Sequence, residues 1–178
     1  MWIQTYSGVK FDFDNFTDDD LKLEDIAHSL GMQCRVRGHC SVFYSVAQHS
    51  VLVSQVAEAL GGRGAGQWGL LHDAAEAYVG DIPTPMKTEE DQKREGVLMA
   101  RIADKFGLPN LNVPMNGHIN TVVKHADKLL LATEKRDLMP NIGIWESIEG
   151  IEPLMDVIKP ISPKASVTLF HKRFKELF

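Results

Sequence analysis

The chain has 178 residues, with 19 Lys+Arg against 24 Asp+Glu and a formal net charge of −5, which fits one domain over 1–178 and argues against a nucleic-acid duplex as partner. Two cysteines, Cys34 and Cys40, exclude a disulfide scaffold, and the strongly apolar run at 129–132 is far short of the roughly 20 residues a membrane helix needs. Met1-Trp2-Ile3-Gln4 carries no basic flank or apolar leader, so a cytoplasmic protein without membrane contact is expected.

In chain order, Trp2, Ile3, Tyr6, Phe11, Phe13 and Phe16 alternate loosely around Ser7-Gly8 and predict a short hairpin or extended arm. Thr17 and three aspartates predict a helix over 17–30 that stops at Gly31. Ser45 is placed to N-cap a helix ending at Gly61-Gly62. The glycine-rich stretch 61–66 lacks the Gly-Lys-Ser/Thr of a phosphate loop and reads as a turn. A helix is predicted over 67–79, ended by Pro83 and Pro85, and further helices over 88–106, 119–138 and 163–177. Four prolines mark 139–163 as irregular with at most a short helix. The predicted class is all-α, with six to seven helices and the N-terminal hairpin.

Three of these helices carry polar groups on their apolar stripes. His49 shares a stripe with Val46, Val53 and Val56. His72 lies four residues after Trp68 and three before Ala75. Asp127 lies between Val123 and Leu130. A lone His or Asp in such a place is ordinarily a hydrogen-bonded core residue. His49, His72, Asp73 and Asp127 together are harder to explain that way, because an unpartnered buried carboxylate costs several kcal/mol. A divalent transition metal (Zn, Co, Mn or Ni) would satisfy all four.

Val46-Ala47-Gln48-His49-Ser50, Leu71-His72-Asp73-Ala74-Ala75-Glu76 and His125-Ala126-Asp127 resemble the H…HD…D signature of the HD-domain metal phosphohydrolases. Within that family the resemblance is nearest to bacterial 5′-deoxynucleotidases and phage dATP triphosphohydrolases, and it leans to the phage enzymes. It implies an HD-type helical core, with His49, His72, Asp73 and Asp127 as ligands of one divalent metal and Mg as a companion to a triphosphate. It implies a catalytic Glu76, which helical spacing also sets beside the ligands, and an acidic partner at Asp81. It implies phosphate grips at Arg35, Lys87 and Lys124, and a nucleoside wall at Val36 and Pro85, although some relatives carry Trp where this chain has Val36. It implies a small deoxynucleotide as substrate and a homo-oligomer.

Four functions stay open. A triphosphohydrolase would release triphosphate from dATP, and a nucleotidase would release phosphate from a dNMP. A non-catalytic module would bind metal and nucleotide without turnover, a reading that a complete ligand set with Glu76 beside it disfavours. A cyclic-nucleotide phosphodiesterase would use the same metal with another pocket.

Overall fold

The computed structural model describes residues 2–140 and 143–178, and only the backbone of Thr84. It is mostly helical, as predicted. The helices are α1 (Leu23–Met32), α2 (Val46–Gly61), α3 (Arg63–Leu71), a single turn α4 (Glu76–Val79), α5 (Glu89–Phe106), α6 (Gly117–Leu138) and α7 (Pro163–Leu177). The hairpin pairs β1 (Trp2–Gln4) with β2 (Lys10–Asp12) antiparallel, Ile3 opposite Phe11. Phe11 is fully buried against Phe13, Phe16 and Tyr78. The hairpin loop is tied to α1 because Ser7 donates its N–H and its hydroxyl to the buried Asp25 carboxylate.

Helix α2 is the centre of the fold and packs on α1, α3, α6 and α7. Ser45 caps it as predicted, accepting the N–H of Gln48. One apolar cluster lies between α1, α2, α3, α5 and α7, around Ile26, Leu30, Val51, Leu71, Ile102 and Phe170. A second joins α2 and α3 to α6, around Val53, Ala65, Val123, Ala126 and Leu130. Trp68 touches both, and its indole N–H donates to the Pro109 carbonyl. Each fully buried Leu or Val contributes about 1.5–3 kcal/mol, which fixes the helices that carry the polar residues.

Three predicted elements are corrected. The first helix does not start at Thr17. Asp20 accepts both the N–H and the hydroxyl of Thr17, closing a separate 3-10 turn, and α1 begins at Leu23. It also runs through Gly31, where a Cβ would collide with the Val167 side chain; this glycine admits α7 and does not end the helix.

The 61–66 turn shrinks to Gly62, at φ 79°, and α3 starts at Arg63. Gly66 and Gly69 lie inside α3, where glycine is needed because α2 passes so close: a Cβ on Gly69 would stand 2.9 Å from Ser54 Cα. The 67–79 helix is likewise broken between Leu71 and Glu76. There the backbone tightens to bonds between residues three apart, such as Glu76 N–H to the Asp73 carbonyl, while the Gly69 carbonyl is engaged by the His72 ring.

The irregular stretch contains one 3-10 turn, Glu146–Ile148, as expected; residues 141 and 142 lie outside the described residues. Its later part is held by side chains. Gln48 donates to the Lys159 carbonyl and accepts from Ile161 N–H. Asp137 accepts from Ile158 N–H, Thr133 accepts from Leu154 N–H, and Arg136 donates to the Leu154 and Asp156 carbonyls.

Candidate metal centre

His49 projects from α2, His72 and Asp73 from the turn after α3, and Asp127 from α6. Their ligand-type atoms converge. His49 Nε2 lies 3.2 Å from Asp127 Oδ1 and 3.6 Å from Asp73 Oδ2. His72 Nε2 lies 3.3 Å from Asp73 Oδ1 and 4.0 Å from Asp127 Oδ1. One donor atom from each of His49, His72 and Asp127 fits within 4.8 Å of the others, a spacing that suits a shared cation.

The imidazoles are set up for this. His72 Nδ1 is 2.8 Å from the Gly69 carbonyl, an acceptor, so Nδ1 carries the hydrogen and Nε2 presents a lone pair. His49 Nδ1 is 2.6 Å from Glu134 Oε1. Both Nε2 atoms are buried without a hydrogen-bond partner. Buried polar groups are nearly always paired, so two such orphans facing two carboxylates suit a shared cation. Burial and Arg35 oppose charging of His49, yet Glu134 and Asp127 outweigh them and push its pKa up to about 10. Burial would raise the Asp127 pKa, but the close approach of His49 and the charge of both imidazoles depress it.

The predicted residues around these ligands divide. Glu76 lies at the start of α4, is 6% exposed, and has Oε2 without a hydrogen-bond partner. Burial, then Asp73 and Asp81, push its carboxyl up to about 10. Asp81 accepts the N–H of Val36 and donates its own N–H to Gln33. It thereby braces a loop in which Val36 and Arg37 both adopt left-handed φ, 53° and 52°, a conformation uncommon for non-glycine residues.

Arg35 does come to the centre, 3.6 Å from Asp73 Oδ2 and 3.5 Å from Glu134 Oε2. Burial disfavours its charge, but Glu134, Asp73 and Asp81 outweigh that and hold the guanidinium protonated. Lys87 is 2.8 Å from Glu95 and 3.9 Å from Glu76.

Lys124 is exposed and joins His72 and Asp127 at an adjoining pocket of about 250 Å³, walled by Trp68, Met99 and Leu111. Val36 is half-buried, whereas Pro85 is exposed in a 3-10 turn, and neither lines that pocket.

Two residues went unseen in the sequence. Glu134 is 2% exposed and extends the stripe Val123, Ala126, Leu130. The anomaly that exposed Asp127 also applied to it, four residues beyond Leu130. Gln48, 5% exposed beside His49, clasps the 159–161 backbone.

No family model matches the chain. The uncharacterized protein YfdR of Escherichia coli is 42% identical over 181 residues, covering 99% of this chain and 95% of that protein. An uncharacterized protein of Rhodobacter capsulatus is 34% identical over 146 residues, covering 77% of this chain and 72% of that protein. The chain belongs to the family of YfdR.

Proposed function

We propose that this protein is an HD-type, metal-dependent phosphohydrolase that acts on deoxynucleoside monophosphates. Hydrolysis would break the P–O5′ bond, with the water oxygen ending on phosphate and the proton on the departing O5′. The observation that carries the reading is the pair of buried, unpartnered imidazole nitrogens facing Asp73 and Asp127. His49, His72, Asp73 and Asp127 would hold one Mn, Co, Zn or Ni ion. Such an ion, when bound, supplies the Lewis acidity that activates water and draws charge from a phosphoryl group.

The chain's own groups divide the remaining work. Glu76, buried with a free oxygen, moves a proton between water and the leaving O5′. Asp81 keeps the Arg35 loop in its strained shape. Lys124 meets the phosphate, and the apolar pocket beside His72 and Asp127 takes the nucleoside.

Ion pairing favours the monophosphate over dATP. Arg35 is engaged by Asp73 and Glu134, and Lys87 by Glu95 and Glu76. Of the three predicted phosphate grips, Lys124 alone has no carboxylate partner among the described residues. A triphosphate carries about four negative charges and needs several free cations.

The test is product analysis after incubation with Mn, Co, Zn, Ni or Mg and a panel of dNMPs, dNTPs and cyclic nucleotides. Phosphate and deoxynucleoside from dNMPs are expected. Intact triphosphate from dATP would move the assignment to the triphosphohydrolase. Absence of product with every metal would leave a binding module and overturn the enzyme reading.

A further inference from the structure

We propose that Glu134 is a positioning residue that holds His49 and Arg35 as one unit behind the metal ligands. This inference rests on the metal-centre reading above. The Glu134 carboxylate is 2% exposed, on the face of α6 turned to α2. Its Oε1 lies 2.6 Å from His49 Nδ1 and its Oε2 lies 3.5 Å from Arg35 Nη2. A carboxylate at this distance only accepts, so Nδ1 bears the hydrogen. The ring is then fixed with Nε2 toward Asp127 and Asp73.

The two imidazoles are held by unlike partners. His72 has the neutral Gly69 carbonyl, and His49 has a carboxylate. A charge-assisted bond is the stronger restraint and makes the opposite nitrogen a better donor to a metal. Arg35 extends the arrangement, because its other terminal nitrogen reaches Asp73 Oδ2 at 3.6 Å. One guanidinium therefore links the group behind His49 to a second ligand.

A structural ion pair alone would look different. At the other buried arginine, Arg173, all three guanidinium nitrogens are hydrogen-bonded. Here Arg35 Nε, Glu134 Oε2 and His49 Nε2 remain without hydrogen-bond partners. The cluster is built toward something besides its own neutrality.

The experiment titrates Co(II) into metal-stripped wild type, Glu134→Gln and His72→Ala, read by visible absorbance, with metal-free thermal melts alongside. Glu134→Gln preserves shape and removes the charge. It is expected to bind Co(II) about 10–100-fold more weakly than wild type, with the metal-free melt still cooperative. Wild-type affinity in Glu134→Gln would overturn the positioning role alone. Absence of Co(II) binding by wild type would overturn both this proposal and the metal-centre reading.

Nitrogen-15 spectra of the zinc-loaded wild type supply a readout that does not depend on how the variant folds. His49 protonated at Nδ1 is the expected state. His49 protonated at Nε2 would overturn the proposal.

Discussion

Helix α2 carries two buried charged clusters, and they are finished differently. Near its C-terminal end, Arg173 from α7 donates to Ser54 Oγ at 2.9 Å, Glu58 at 2.6 Å, the Ser54 carbonyl at 3.3 Å and Glu176 at 3.4 Å. Near its N-terminal end, His49, His72, Glu76, Arg35 and Glu134 each keep a buried polar atom without a hydrogen-bond partner. Both clusters bury charge at a desolvation cost of several kcal/mol per ion. The Arg173 cluster recovers that cost from its own hydrogen bonds. The His49 cluster does not, which is the expected condition of a site completed by a ligand. Buried charge alone is therefore a poor guide, and the metal-centre proposal rests on the unsatisfied atoms that converge at His49.

The contrast is broken most directly at its extremes. His72→Ala should abolish metal binding and lower phosphate release by more than about 1000-fold, with little loss in the metal-free melting temperature, because the removed imidazole carries an unpaired nitrogen. A comparable fall in stability would mean that the ring is there for packing.

Arg173→Ala should do the reverse. Glu58 and Glu176 are partly exposed and would be left solvated, but the buried Ser54 would lose its donor, at a cost of about 1–3 kcal/mol, read by urea unfolding, while Co(II) affinity of the folded fraction stays near wild type. If affinity fell with stability, the two clusters would not be separable.

Glycine 69 sharpens the comparison because it lies between them. Gly69→Ala pushes a methyl to 2.9 Å from Ser54 Cα, and overpacking of this kind costs about 1–3 kcal/mol. It should also weaken metal binding slightly, since the Gly69 carbonyl orients His72. An unchanged urea midpoint would contradict the close α2–α3 approach.

The smallest effect concerns a third, peripheral charge. Hydrogen bonding from Arg136 and from Ile158 N–H depresses the Asp137 pKa, although partial burial opposes it. A depressed folded-state pKa gives stability above the unfolded value, near 4, and loses it as pH falls through the folded value. The loss below about pH 4 should stay under about 1 kcal/mol and be smaller in Asp137→Asn. An identical acid profile in that variant would remove Asp137 from the account.

Much of this was legible beforehand. Ser45 marked a helix start because its hydroxyl can accept a backbone N–H group, and it does. His49, His72, Asp73 and Asp127 were visible as ligand types interrupting apolar stripes. What stayed hidden depended on three-dimensional approach. Gly31 read as a terminator and Gly66 as part of a turn, whereas helix packing requires both inside helices. The break after Leu71 has no sequence marker, since the His72 ring occupies the Gly69 carbonyl only once the helix has formed. Arg35 and Lys87 looked like free phosphate grips because their carboxylate partners lie on other elements. Glu134 could have been found by the same stripe argument that found Asp127.

The most direct test of the central claim is an equilibrium titration of metal-stripped wild type, His72→Ala and Arg173→Ala with Mn(II) or Co(II), scored for stoichiometry. One ion per chain is expected in wild type and Arg173→Ala, and none in His72→Ala. No ion bound by wild type, or equal binding in His72→Ala, would contradict it.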